Sequence, residues 1–313
     1  MRYSFLGELK FLKMRYKFLE KMPFLPVVII GAARSGTNVL RDVLTRVQGF
    51  STWPCDEINP IWRHGNLDLA HDEIPVERVT TSIRRSIRKA FFKIWEKANR
   101  PPYVVEKTCA NSLRVPFVNA VLPEARYVYI KRNSHDVVAS ACKRWRGELE
   151  VPMLQYYFSK ARYTPPSDLF RYGSHALLNR IKLCVKNQNH FDTWGPCWSG
   201  MKDLKNISLE ELVAMQWSLC VTKSEAAFKE IEKSRVYWTT YEDFVEEPAG
   251  VLDGVLRWLG ESHECSTINE AVSIVRRQSI RERANKAKNL LSNPKKVSYK
   301  PEDKAQMCSG GDC

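Results

Sequence analysis

The residues best suited to chemistry in this sequence form one short loop. Ile30-Gly31-Ala32-Ala33-Arg34-Ser35-Gly36-Thr37-Asn38 follows the apolar run Val27-Val28-Ile29-Ile30 and precedes Val39-Leu40-Arg41-Asp42-Val43-Leu44. The run reads as a buried strand, and the apolar residues after the loop fall on one helical face. Strand, Gly-containing turn and helix N-terminus make an anion site, because unpaired backbone N–H groups and the helix dipole converge there. Gly31 and Gly36 keep the spacing of a G-x-x-x-x-G-K-[ST] loop, whose Lys reaches the β/γ-phosphates. Thr37 stands where that Lys belongs, and Asn38 where the Mg²⁺-holding hydroxyl belongs. The loop suits a phosphate. It is poorly equipped for a triphosphate with its metal.

A second phosphate contact lies further along. Tyr127-Val128-Tyr129-Ile130-Lys131 reads as a strand, Arg132 leaves its end, and Ser140 follows eight residues later on the next helix. A strand-end guanidinium and a hydroxyl from the adjacent helix can meet on one phosphate, with Arg supplying the fork geometry. In an open α/β sheet, ligands bind at the strands' C-terminal ends, where both segments fall.

The elements that position these residues alternate. Phe50 to Pro54 reads as a second strand leading into Cys55-Asp56-Glu57-Ile58-Asn59, and residues 76–98 have helical periodicity. Tyr103-Val104-Val105 reads as a third strand ending in Glu106-Lys107-Thr108, followed by a helix over about 111–121. After Arg132, a helix runs from Ser134, read as its N-cap, through Trp145. Residues 147–206 lack periodicity and read as an acceptor-side insertion. Ser208 with Glu211 opens a helix to about Lys233; a strand at 235–240, a turn at 241–248 and a helix at 249–259 follow. Alternating β and α elements predict an α/β fold, a mainly parallel sheet with helices on both faces. The expected organisation is a basic amphipathic segment at 1–24, one domain at 25–293 and a flexible tail at 294–313.

Composition narrows the partners. The 313 residues, 44% hydrophobic and 11% aromatic, can bury a sizeable core, and the formal charge of +14 points to an anionic partner. Nine irregularly spaced cysteines show no zinc spacing, which favours reduced thiols and a cytoplasmic setting. No run of about 18 apolar residues predicts a membrane span. The basic amphipathic N-terminus suits either packing on the domain's outside or peripheral contact with an anionic membrane. No nucleic-acid-binding motif occurs, so a nucleic-acid partner is not expected.

Together, Arg34-Ser35-Gly36-Thr37 and Arg132 with Ser140 resemble the 5′-phosphosulfate loop and the 3′-phosphate signature of PAPS-dependent sulfotransferases. Val105-Glu106-Lys107-Thr108-Cys109-Ala110-Asn111 is similar to the Lys-Thr/Ser-Pro-x-Asn segment of that family's bacterial, carbohydrate and tyrosylprotein branches. Tyr241-Glu242-Asp243-Phe244, Trp194-Gly195-Pro196 and Gln216-Trp217 match further landmarks, so the resemblance covers roughly residues 27–260. Three departures stand out. Cys109 takes a position often held by Pro, Asn133-Ser134-His135-Asp136 replaces Asp-Pro-x-Asp, and the family's basic C-terminal donor loop has no clear match. Arg281, Arg283, Lys286 and Lys288 are the residues available to replace that loop.

The resemblance implies a P-loop NTPase-like sulfotransferase fold and a donor, 3′-phosphoadenylyl sulfate (PAPS), that leaves as adenosine 3′,5′-bisphosphate (PAP). It implies that Arg34, Ser35, Gly36, Thr37 and Asn38 bind the 5′-phosphosulfate, and Arg132 and Ser140 the 3′-phosphate. Arg34 would also stabilise the leaving phosphate oxygen and Lys107 the transferring group. A carboxylate base is implied after the second strand: Glu57, with Asp56 as the neighbouring alternative. His135 would help shape the 3′-phosphate site. No metal is expected, since no β/γ-phosphate pair needs bridging. Asn111 would orient the Lys107 loop or touch the acceptor. Trp194 and Trp198 are candidates for stacking on an acceptor, expected to be a carbohydrate or a small-molecule alcohol. The competing readings are a nucleotide kinase or NTPase, which needs the absent P-loop Lys, and a non-catalytic nucleotide-binding protein at an anionic membrane.

Overall fold

The computed structural model describes residues 21–146, 162–168 and 194–275. Most of the 1–24 segment, much of the 147–206 insertion, the 294–313 tail and Arg281, Arg283, Lys286 and Lys288 lie outside them.

Strands β1 (Leu25–Ile30), β2 (Phe50–Ser51), β3 (Tyr103–Lys107), β4 (Arg126–Lys131) and β5 (Val236–Thr240) form one sheet in the order β2-β3-β1-β4-β5. All four neighbouring pairs are parallel. The central strands are buried on both faces and therefore read as unbroken apolar runs. Side chains alternate between the faces. Val28, Ile30, Val104, Tyr127 and Tyr129 enter one core layer with α2 (Asn59–Arg63), α3 (Thr81–Lys97) and α4 (Val115–Val121). Val27, Ile29, Val105, Val128 and Ile130 enter the other with α1 (Thr37–Leu44) and α8 (Pro248–Leu259). A third cluster joins α5 (Ser134–Trp145) to α6 (Leu209–Phe228) through Ala141, Cys142, Trp145, Val213 and Cys220. The α/β architecture is therefore the one the alternation of elements predicts.

Several boundaries differ for local reasons. The second strand keeps only two residues of the expected Phe50–Pro54 run, because it pairs with β3 at Phe50 and Ser51 alone. The 76–98 stretch divides into a 3-10 turn, Val76–Arg78, and α3, which Thr80 caps by accepting from Ile83 N. The cap of α5 is Asn133, whose side chain accepts from His135 N, and Ser134 is the first helical residue instead. The expected turn at 241–248 is a short helix, α7 (Tyr241–Glu246), capped by Thr240 accepting from Asp243 N. The capping box of Ser208 and Glu211 is formed, but α6 stops at Phe228, short of Lys233. Six described cysteines (55, 109, 142, 197, 220 and 265) are free thiols. Among the described residues no helix is long and apolar enough to cross a membrane.

Candidate active site

The loop after β1 is shaped by two glycines. A Cβ on Gly31 would sit 2.5 Å from the Ile130 carbonyl oxygen, so only glycine lets β1 leave beside β4. Gly36 has φ 86 and heads α1 in the left-handed region. Arg34 also has a positive φ, 72, which is costly for a residue with a side chain and is characteristic of ligand loops. This backbone turns the Arg34 side chain outward, where its Nε donates to Ser140 Oγ at 2.9 Å.

That bond joins the two expected phosphate segments directly. Arg132 NH1 donates to the Arg34 carbonyl oxygen at 3.1 Å, and its guanidinium lies over the Tyr241 ring, 4.0 Å from the centroid. Trp217 Nε1 donates to the Arg132 carbonyl oxygen at 3.1 Å, so α6 fixes the strand end from the other side. Ser35 Oγ, Asn38 Oδ1 and Arg132 Nε are buried polar atoms with no hydrogen-bond partner among the described residues. Native folds leave few such atoms; Ser35 Oγ and Arg132 Nε can donate and so suit an anionic ligand, whereas Asn38 Oδ1 is an acceptor and does not. The His135 side chain is 93% exposed and lies 4.0 Å from Asp136.

On the other side of β1, the end of β3 carries a buried cation. Lys107 Nζ lies 3.0 Å from Glu57 Oε1 and 3.2 Å from Asp56 Oδ1. Its side chain is 2% exposed, whereas those of Glu57 and Asp56 are 22% and 37% exposed. Burial pulls the Lys107 pKa down, but Glu57, Cys109 and Asp56 outweigh it and hold the ammonium above its usual range. Glu57 Oε1 also accepts from Cys109 N at 3.2 Å, a bond that proline at this position could not donate. The Cys109 thiol is pushed up by burial and by Glu57, and its Sγ lies 3.6 Å from Thr37 Oγ1. Arg41 NH1 donates to the Asp56 carbonyl oxygen at 2.9 Å, tying the turn after β2 to α1.

Beneath Lys107 lies a hydrogen-bonded layer. Glu106 is fully buried and accepts from Thr108 Oγ1 at 2.5 Å and from Asn111 Nδ2 at 3.0 Å. Arg114 Nε donates to Asn111 Oδ1 at 2.8 Å, and Arg114 reaches Asn59 and Asp72 as well. Asp72 in turn accepts from Cys197 N at 2.9 Å, which anchors the 194–204 segment to this layer.

The sequence-derived candidates thus assemble into two adjoining groups, Arg34 to Asn38 with Arg132 and Ser140, and Lys107 with Glu57 and Asp56. Asn111 is buried behind Lys107, where its side chain fixes the loop. Trp198 is 7% exposed within the third core cluster, so its ring packs in the interior, away from any stacking face. Trp194 is half-buried, edge-on to Trp145 at 6.4 Å. Sequence reasoning missed Arg41 and the buried carboxylate of Glu106. Nothing in the spacing of Arg41 marks its reach to the Asp56 carbonyl, while a Glu at the end of a buried strand was a readable signal.

Residues 26–171 match the sulfotransferase family. No curated protein matches the chain. Among solved structures, the sulfotransferase domain of the curacin biosynthetic pathway is similar at 14% identity, with 79% of this chain and 78% of that chain covered and a TM-score of 0.46. A Mycobacterium tuberculosis sulfotransferase shares 12% identity over 83% of this chain and 74% of its own, with a TM-score of 0.46. A mouse sulfotransferase complexed with PAP shares 14% identity over 80% and 64%, with a TM-score of 0.40. The family match begins one residue into β1 and takes in the anion loop, the Lys107 strand end and the Arg132 unit, so the part of the chain that resembles the sulfotransferases is the part that carries the candidate site.

Proposed function

We propose that this chain is a sulfotransferase that moves a sulfuryl group from PAPS to a hydroxyl or amine of its acceptor by in-line displacement, with Glu57 as base. The observation that carries the donor assignment is the contact of Arg34 Nε with Ser140 Oγ at 2.9 Å. It brings a 5′-phosphate loop and a 3′-phosphate pair within the span of one doubly phosphorylated nucleoside. Thr37 and Asn38, in place of Lys and a hydroxyl, argue against a triphosphate.

PAPS supplies the activated sulfuryl group. Ser35, Gly36, Thr37, Asn38 and the loop amides hold its 5′ end, and Arg132 and Ser140 its 3′-phosphate. Lys107 neutralises the sulfuryl oxygens, and Arg34 stabilises the electron pair that the breaking S–O bond leaves on the 5′-phosphate. Glu57 takes the proton that the acceptor oxygen or nitrogen releases as it bonds to sulfur. The Lys107–Glu57 contact at 3.0 Å supports a base and a cation acting at one reacting centre, with positioning supplying much of the catalysis. The acceptor reading, a carbohydrate or small-molecule alcohol, rests on the polar, aromatic composition of residues 147–206. Peripheral contact with an anionic membrane through residues 1–24 is a further proposal, carried by their basic amphipathic composition; sedimentation with anionic vesicles that is unchanged by deleting them would sink it.

Calorimetry with PAP and with ATP tests the donor. PAP is expected to bind tightly and ATP weakly, and a preference for ATP overturns the reading. An acceptor screen with sulfate-labelled donor then identifies the second substrate. Labelling confined to peptide tyrosine would replace the carbohydrate or small-alcohol acceptor.

A further inference from the structure

The hydrogen bonds around Glu106 run in one fixed direction. Arg114 can only donate, so the Asn111 amide must turn its Oδ1 to Arg114 Nε, 2.8 Å away, and its NH₂ to Glu106 Oε2, 3.0 Å away. On the other side Ile58 N donates to Thr108 Oγ1 at 3.3 Å, which leaves the Thr108 hydroxyl proton for Glu106 Oε1 at 2.5 Å. Both carboxylate oxygens are therefore opposed by donors. A proton on Oε2 would face the Asn111 NH₂, which cannot flip without setting that NH₂ against Arg114. A proton on Oε1 would reverse the Thr108 bond and deprive the Thr108 hydroxyl proton of its acceptor.

These same contacts govern the site. Ile58 immediately follows Glu57, and Asn111 lies in the 3-10 turn Cys109–Leu113, whose first residue donates its N–H to Glu57 Oε1 at 3.2 Å. We infer that Glu106 is a positioning residue of the transfer site: as an acceptor-only carboxylate it locks Thr108 and Asn111, and through them the Ile58 and Cys109 amides that seat Glu57 beside Lys107. This rests on the proposed roles of Glu57 and Lys107.

The charged and polar groups facing Glu106 are Lys107 on its own strand, Glu57 from the turn after β2, Trp62 from α2, Thr108, and Arg114 through Asn111. Burial pushes its pKa up to about 7; Thr108, Trp62 and Lys107 pull it down, and Glu57 adds to the rise. The lock is consequently strongest above neutrality, where Glu106 is ionised and accepts on both sides, and weaker below it.

Residue-resolved amide exchange tests this without reference to turnover. Protection factors at Ile58 and Cys109 are expected to fall in the wild type between pH 8 and pH 6, and to be low at both in Glu106→Gln, which cannot accept on both sides. Glu106→Asp, which keeps two acceptors, should recover part of the protection. With PAPS and an identified acceptor, Glu106→Gln should lose about 10²-fold in kcat while its PAP affinity stays within about twofold, as misplacement of a reacting group implies. It should also lose the acid limb near neutrality. Wild-type protection retained in Glu106→Gln, or wild-type protection equal at the two pH values, overturns the inference; the second comparison decides if the Gln variant fails to fold. Failure of the wild type to bind PAP would instead remove the donor assignment and leave the exchange result standing.

Discussion

Replacing Gly36 by alanine would place a methyl group 2.3 Å from Cδ2 and 2.9 Å from Cε2 of the Tyr241 ring, at a residue whose φ is +86. Two costs follow, and they separate. The left-handed conformation costs an L-residue about 1–2 kcal/mol wherever its neighbours stand. Pushing the ring aside adds about 1–3 kcal/mol, the usual range for overpacking. The ring also backs the Arg132 guanidinium at 4.0 Å, and Arg132 holds the Arg34 carbonyl oxygen at 3.1 Å. Displacing it should unseat the 3′-phosphate contact and weaken PAP binding by about 10-fold or more, roughly 1.4 kcal/mol. The assay is a double-mutant cycle with Tyr241→Ala, read by denaturant unfolding and by PAP calorimetry. In the Tyr241→Ala background only the backbone cost of Gly36→Ala should remain, so the coupling energy should be at least ~1 kcal/mol. Equal costs in both backgrounds would refute the claim that Tyr241 supports loop and Arg132 together.

Glu57→Gln should abolish transfer while leaving PAP affinity nearly intact, and Asp56→Asn should keep most of the turnover; the reverse pattern in steady-state assays moves the base to Asp56. Lys107→Met should lower kcat by about 10²–10³, the usual loss for one preorganised donor, with the PAP affinity little changed. A variant within tenfold of wild type would remove Lys107 from the chemistry. Glu106 also predicts a pH dependence of stability. Its folded pKa of about 7 lies above the ordinary 4.5, so its favourable contribution is complete below about 4.5 and is lost as pH rises through about 7. Urea unfolding at pH 5 and pH 8 should show this loss, up to about 3 kcal/mol, in the wild type and lack it in Glu106→Gln. Identical pH dependence in the two proteins would contradict it.

The fold and the loop after β1 were legible because their signals are local. Val27 to Ile30 and Tyr127 to Ile130 are buried on both faces and so read as unbroken apolar runs. The capping box at Ser208 and the glycine spacing of the loop are likewise written in neighbouring residues. Boundaries were less legible where a cap competes: Asn133 and Thr240 each accept from the residue two or three positions on, which the apolar pattern does not record. The distant contacts were not legible at all. Arg41 meets Asp56 only because α1 passes the turn after β2, and Trp198 is interior only because the 194–204 segment folds onto α5 and α6. Glu106 shows the limit most clearly. Its residue type at the end of an apolar strand is conspicuous, but its meaning depends on Arg114 and Ile58, which three-dimensional folding brings to it.

The order of strands has one more consequence. Read across the sheet from β4 through β1 and β3 to β2, the contacts run from the Arg132 phosphate site to the Arg34 loop, then Lys107, then Glu57. In the proposed reading, donor recognition thus falls to the interior of the sheet and acceptor chemistry to its margin. β2 at that margin is held by two register pairs with β3, Phe50 with Tyr103 and Ser51 with Val104. Its backbone pairing is short, and side-chain contacts hold it instead: Phe50 stacks on Tyr103, and Asp56, Glu57 and Ile58 bind Lys107, Cys109 and Thr108. In the proposed reading, the β2 margin, with the segment anchored by Asp72, is therefore where a change of side chains would alter acceptor preference while leaving the loop after β1 in place.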